Sequence, residues 1–247
     1  MAKGNGKIVT LTMDLYFKGL SLRDISDTVY QFYGLKLHHE TVRRWIRRFS
    51  DIMNNYVDTL HPKLSGKIEV DEQTVKSNGK HIWSWNAIDE ETRFLIANNI
   101  TDGREIEDAR GIFQKIKQVS EIPPSQIKTD GLWSYERAIR KEFVTRRGSR
   151  KILDHIRNVG ISKESNNNIV ERYHNEFREF DKVRRGFKSD KTTEEWGQDF
   201  RLYHNFIKKH HGLNGLTPSQ VAELDLKLGR NRWLSLLRQS IGNKNLK

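Results

Sequence analysis

The hydrophobic period of this chain changes once, and that change limits what it can fold into. Up to residue 60, apolar residues recur at intervals of three and four, the spacing of a buried helix face. From Lys67 they alternate with polar ones, the spacing of strands. Between the two regimes lies Leu60-His-Pro-Lys-Leu-Ser-Gly66, where a proline and a glycine break regular structure. A small all-α unit over residues 1–56, a linker over 57–66, a larger sheet-containing domain over 67–205 and a helical tail over 206–247 are expected. No internal repeat is present, which sets solenoids aside.

In the first unit, Ile8, Leu11, Leu15 and Leu20 fit one helix that ends near Gly19, and Ser21 stands where the next helix needs its cap. Leu22, Ile25, Val29, Phe32 and Tyr33 define a second helix, with Gly34 as its stop. A third begins near His39 or Glu40; Val42, Trp45, Ile46 and Phe49 face inward, while Arg43, Arg44, Arg47 and Arg48 occupy its other faces. Two helices and a short turn before an Arg-rich helix match the helix-turn-helix plan, whose last helix enters the DNA major groove. A solvated face on an ordinary bundle is the plainer alternative.

After the linker, strands are expected over 67–75, 81–88 and 93–100, joined by the turns Ser77-Asn-Gly-Lys80 and Asp89-Glu-Glu-Thr92. A helix over 104–119 follows, then a short buried strand Gln126-Ile-Lys-Thr-Asp130 closed by Gly131, a helix over 135–143, an irregular basic stretch to residue 160, and a long helix from about Asn166. A meander continued by α/β units gives a mixed α/β sheet with helices packed against it.

Three acids fall where a metal site needs them: Asp71 inside the first strand, Asp130 at the end of the fourth and Glu171 in the first turns of the long helix. If the first and fourth strands are neighbours, Asp71 and Asp130 lie side by side, and a helix over that edge brings in Glu171. Hard oxygen donors suit Mg²⁺ or Mn²⁺, and two such ions could serve the attacking and leaving oxygens of a phosphodiester. Glu72 is an alternative to Asp71 as first ligand. Asn175 and Arg178 share the helix face of Glu171, so Arg178 can meet a DNA phosphate or form a surface ion pair.

The motifs Val70-Asp71-Glu72, Trp83-Ser-Trp85, Ala87-Ile-Asp89, Lys128-Thr-Asp130-Gly131, Asn167-Asn-Ile-Val-Glu171-Arg172 and Gly215-Leu-Thr-Pro-Ser219 occur in this order over nearly the whole chain. In that order they resemble the landmarks of DDE transposases of bacterial and archaeal insertion sequences, those of insertion sequence family six above all. The resemblance implies a helix-turn-helix domain joined to an RNase H-like catalytic domain. It also implies a metal-binding triad at Asp71, Asp130 and Glu171, a basic residue at Arg178, two Mg²⁺ ions with Mn²⁺ possible, and homo-oligomers on double-stranded DNA at element ends and target. The interval from Asp130 to Glu171 is longer than usual in that group.

Charge agrees with such a partner. With 44 Lys and Arg against 32 Asp and Glu the chain carries +12 and a pI near 9.8, which favours a polyanion. From Arg146 to Lys191 there are thirteen basic residues against seven acids, densest at Arg184, Arg185 and Lys188, a strip suited to phosphate contacts without sequence readout. No cysteine is present, which excludes thiolate nucleophiles and sulfur-ligated zinc. No apolar run reaches the roughly 18 residues of a membrane span, so a cytoplasmic, nucleoid-associated protein is expected. His38-His39 and His210-His211 read as structural, His155 and His174 as residues near the site with structural roles, Tyr173 as a poor candidate for a nucleophile, and Trp83 and Trp85 as core. A non-catalytic DNA-binding regulator or an inactivated remnant is the rival reading.

Overall fold

The computed structural model describes residues 6–120, 122–143, 153–157, 168–184 and 186–244. Helices α1 (Gly6–Phe17), α2 (Leu22–Tyr33) and α3 (His39–Val57) form where the sequence expects them. Ser21 caps α2 by accepting from the Asp24 N–H, and Gly34 ends it in the left-handed region at φ 65°, a conformation with little cost for glycine.

Strands β1 (Lys67–Ser77) and β2 (Lys80–Asp89) form a hairpin. Its Asn78-Gly79 turn has positive φ at both residues, as the right-handed strand twist demands. β3 (Leu95–Thr101) starts two residues later than the alternation suggests. The reason is the Asp89 side chain, which accepts from the Thr92 N–H and hydroxyl and holds a turn, with Arg93 at φ 56°. After α4 (Ile106–Val119), β4 (Gln126–Thr129) enters parallel to β1, with Ile68 opposite Ile127 and Glu69 opposite Lys128. Helix α5 (Trp133–Phe143) leads to β5 (Asp154–Arg157), parallel to β4. This strand falls in the stretch read as irregular; with a single apolar residue, Ile156, it leaves no periodic signal, and unlike β4, equally short but closed by Gly131, it has no glycine or proline within two residues of either end. The sheet order is β3-β2-β1-β4-β5, an antiparallel meander extended by two parallel strands, and a mixed sheet of the RNase H-like type was the expectation.

Helices cover both faces. Consecutive strand residues point oppositely, and in β1 Glu72 faces α5 through Tyr135 while Glu69 faces α6 (Asn168–Arg184). α4 and α7 (Asp190–Leu202) come close to β3 through glycines. A Cβ on Gly111 would lie 2.5 Å from the Asn99 amide, and one on Gly197 2.5 Å from that of Asn98. Between α6 and α7, Tyr173, Phe177, Phe180, Trp196 and Phe200 interlock, with Trp196 stacked on Phe200 at 5.1 Å.

A π-helical turn (Tyr203–Ile207) follows, and Asn205 pairs with both backbone groups of Leu95 on the edge strand. Thr217 caps the short α8 (Pro218–Val221), which accounts for the Leu-Thr-Pro-Ser motif as a helix start. Helix α9 (Arg232–Lys244) then folds back onto α1 and α3. Trp233 stacks on Phe17 at 5.3 Å, lies 6.3 Å from Tyr203, and donates to Asp14. One aromatic series therefore joins the N-terminal helices, the C-terminal helix and the helices on the sheet. No helix among the described residues is long and apolar enough to cross a membrane.

Candidate active site

The parallel β1–β4 register, continued two residues past Glu69 and Lys128, sets Asp130 beside Asp71. Ligand oxygens of Asp71, Glu72 and Asp130 all lie within 4.8 Å of one another. Such a gathering of carboxylates is costly without a cation. The cost falls on Asp71, whose carboxyl is pushed up to about 8 by burial and then by the charges of Glu72, Asp130 and Glu171.

The two acids of β1 are not equivalent. Glu72 is almost wholly buried; Tyr135 donates to its Oε2 at 2.5 Å and Arg104 pairs with its Oε1. Arg104 is itself held over the Trp83 ring, 4.2 Å from the centroid. Both Glu72 oxygens are thus engaged by protein groups. Asp71 points to the other face and keeps 18% of its side chain exposed. Asp130 Oδ1 accepts from the Leu132 N–H at 2.9 Å, which fixes the turn after β4.

His174, buried on α6, approaches Asp71 with Nδ1 at 3.5 Å from Oδ2. Its Nε2 lies 3.1 Å from the Asn86 amide nitrogen, and the Asn86 carbonyl accepts from Asn98. With Asn86 as donor, Nε2 must accept, so the imidazole proton sits on Nδ1, toward Asp71. Burial, and then Arg178, pushes the histidine down to about 3. The ring is neutral at working pH and turns an N–H, rather than a charge, toward Asp71.

Glu171 lies in the first turn of α6, exposed, and outside the group of three oxygens; it acts on Asp71 through its charge. What fixes that first turn is Glu69, two residues before Asp71 on the same face of β1. Its buried Oε2 accepts from the N–H groups of Ile169 at 3.1 Å and Val170 at 3.2 Å. A carboxylate at this position satisfies two of the orphan donors of a helix start and meets its positive end. Glu69 does not stand out in the sequence, whereas His174 reads there as a residue near the site in a structural role. The signals were a buried-face Glu two before Asp71 and a His one turn after Glu171.

Arg178 is exposed two turns beyond Glu171, on the side that acts on His174. On α3, Arg43, Arg44, Arg47 and Arg48 line one open groove with Asp51 and Asn55. Arg43 pairs with Glu40, Arg44 reaches Thr41, and Arg48 lies near Phe49. Arg47 instead turns back to pair with Glu195 of α7. Lys188 is exposed ahead of α7, whereas the side chain of Arg184 and all of Arg185 lie outside the described residues, as does much of the basic stretch before α6.

The weaker candidates have structural roles. Tyr173 is buried among aromatic rings, out of reach of a phosphodiester. His38 caps α3, and His210 meets the backbone of His204. His155 contacts Thr129. Trp85 is core, and the half-buried Trp83 carries Arg104.

Comparison with known proteins accords with this geometry. Residues 65–211 match the sequence model of a family described as DDE domain. The chain is 28% identical over 197 residues to an uncharacterized protein of Methanocaldococcus jannaschii, covering 78% of this chain and 83% of that one. It is 33% identical over 92 residues to the transposase for insertion sequence element IS257 in transposon Tn4003 of Staphylococcus aureus, an alignment that covers 37% of this chain and 41% of that transposase. Among solved structures, the simian T-cell lymphotropic virus intasome in complex with PP2A regulatory subunit B56 gamma aligns at TM-score 0.48 and 12% identity over 66% of this chain and 56% of that one. The HTLV-2 integrase catalytic core domain in complex with magnesium aligns at 0.44 and 13% over 66% and 98%. Because the family match runs from the start of β1 past α7, more than half of the sequence and all three candidate acids, the chain belongs to the DDE transposases of insertion sequences, of the family six type its motifs resemble.

Proposed function

We propose that this transposase binds the ends of its own element through α3 and cuts and joins DNA at Asp71, Asp130 and Glu171. The observation that carries the reading is the convergence of ligand oxygens of Asp71 and Asp130 within 4.8 Å of one another at the neighbouring strands β1 and β4. The donor set fits a hard divalent ion: carboxylates only, gathered at a point where a cation would relieve the burial and mutual repulsion that push the Asp71 carboxyl up. Asp71 and Asp130 would hold Mg²⁺ or Mn²⁺, with Glu171 closing the site from α6 and Glu72 kept out by Arg104 and Tyr135. When bound, two such ions supply Lewis acidity to the attacking and leaving oxygens of a phosphodiester.

In the first step water attacks the phosphorus at the element end; the P–O3′ bond breaks and the 3′ oxygen leaves as a hydroxyl. In the second, that 3′-hydroxyl attacks a target phosphodiester, one P–O bond forms as another breaks, and no covalent link to the protein arises. His174 holds the Asp71 carboxylate in orientation, Glu69 holds the helix start that carries Glu171, and Arg178 binds a phosphate along the strand. Two element ends require at least two copies of the chain on double-stranded DNA. The test is end nicking and joining on a plasmid carrying the DNA that flanks the gene, with Mg²⁺ or with EDTA. Metal-dependent joined product is expected; flanks that are bound but never cut would instead mean a non-catalytic DNA-binding protein.

A further inference from the structure

Of the six tryptophans, Trp133 alone is exposed, at 49%. It opens α5 three residues after Asp130, so their Cα atoms are at most about 11 Å apart. The turn between them is rigid: Asp130 accepts from the Leu132 N–H, and Tyr135 is fully buried against Trp85 and Phe113. Trp133 is therefore held out from a fixed base, beside the carboxylates. One turn along, the Arg137 guanidinium lies 5.4 Å from the indole centroid. Its neighbours Arg140 and Arg157 both pair with Glu136, whereas Arg137 has no ion pair among the described residues. An exposed indole with an uncompensated cation at its side has the two elements that hold single-stranded nucleic acid, a stacking face and a phosphate partner.

We propose that Trp133 is a stacking platform for a nucleobase that leaves the duplex next to the scissile phosphodiester, with Arg137 on the adjoining phosphate. This rests on the cutting and joining function proposed above. At about 3.4 Å per stacked nucleotide, the reach from Asp130 places that base within about three nucleotides of the cut. A paired base has both faces covered by its neighbours, so the indole can act only on one that has left the stack. Unstacking would open the strand at the carboxylates, and the indole would offset part of its cost.

The test uses the full chain and element-end duplexes carrying 2-aminopurine at each of the three positions on either side of the cut. Binding is followed in Ca²⁺, and nicking in Mg²⁺. Wild type is expected to change the fluorescence at one position only. Trp133→Ala should lose that signal and nick paired ends about 5- to 150-fold more slowly, the range that base–aromatic stacking gives. Trp133→Phe should keep most of both. A mismatch at the responding position should restore nicking by Trp133→Ala, which a purely structural role of the indole would not allow. Wild-type rates from Trp133→Ala, or slow nicking that the mismatch leaves unchanged, would overturn the inference while the parent reading stands. Ends that wild type itself never nicks would overturn both.

Discussion

Replacing Glu69 by Ala removes the one side-chain acceptor that, among the described residues, meets the N–H groups of Ile169 and Val170. Glu69 is itself buried, yet it anchors the helix turn that carries Glu171. Burial pushes its carboxyl up, and the two helix donors pull it back down. Each buried donor left without a partner costs about 1–3 kcal/mol. Val170 is buried and Ile169 half-buried, so the first turn of α6 would loosen by about 2–4 kcal/mol. If that falls wholly on the conformation that brings Glu171 to the site, nicking slows by about 30- to 1000-fold. Glu69→Gln keeps a carbonyl oxygen in the same place and should stay within about threefold of wild type. The assay is single-turnover nicking of element-end DNA, paired with a binding measurement on the same DNA, which should not change because α3 packs chiefly on α2, α7 and α9 rather than on α6. Wild-type nicking by Glu69→Ala would refute the anchoring argument, and so would a Gln variant as slow as the Ala one.

Metal-free protein should lose stability as pH rises from about 4 toward 8. The folded-state value of Asp71 is raised to about 8 above its ordinary 3.8, so its contribution is complete below the lower value and is lost through the upper one. Asp71→Asn should flatten that dependence and raise the melting temperature at pH 8 by at least about 3 °C, while in wild type Mg²⁺ affinity should climb over the same range with release of a proton; a melting profile in Asp71→Asn identical to wild type would contradict this. Trp233→Ala should cost about 3–5 kcal/mol, since the ring is buried against Phe17 and its N–H is donated to Asp14. Denaturant unfolding would measure it, and a loss under about 1 kcal/mol would mean that α9 does not hold the N-terminal helices.

The helical unit, the meander and the parallel fourth strand were legible because each leaves a long periodic or punctuated signal: Ser21 and Gly34 around α2, Asn78-Gly79 in the hairpin, Gly131 after β4. β5 left none: no glycine or proline punctuates it, and it lies beside a basic stretch. That Asp71 and Asp130 meet could be read from one condition, adjacency of β1 and β4, and the register satisfies it. What could not be read is which acid of β1 is engaged elsewhere, since only the fold brings Arg104 and Tyr135 to Glu72. The ion pair of Arg47 with Glu195, 148 residues away in sequence, is equally invisible to local patterning. His174 shows the same limit. Its spacing from Glu171 gives a shared helix face, but Asn86 on another strand decides which nitrogen carries the proton.

The central claim, that Asp71 and Asp130 hold the divalent ion that strand joining depends on, is tested most directly by a change of metal preference. The chain has no cysteine of its own, so a thiolate can be introduced one site at a time. Mn²⁺ accepts a sulfur ligand far more readily than Mg²⁺ does. Strand joining by Asp71→Cys and Asp130→Cys should be lost in Mg²⁺ and recovered in part in Mn²⁺, whereas Glu72→Cys should show no such recovery. Joining by Asp71→Cys or Asp130→Cys that proceeds normally in Mg²⁺, or recovery in Mn²⁺ confined to Glu72→Cys, would contradict the assignment.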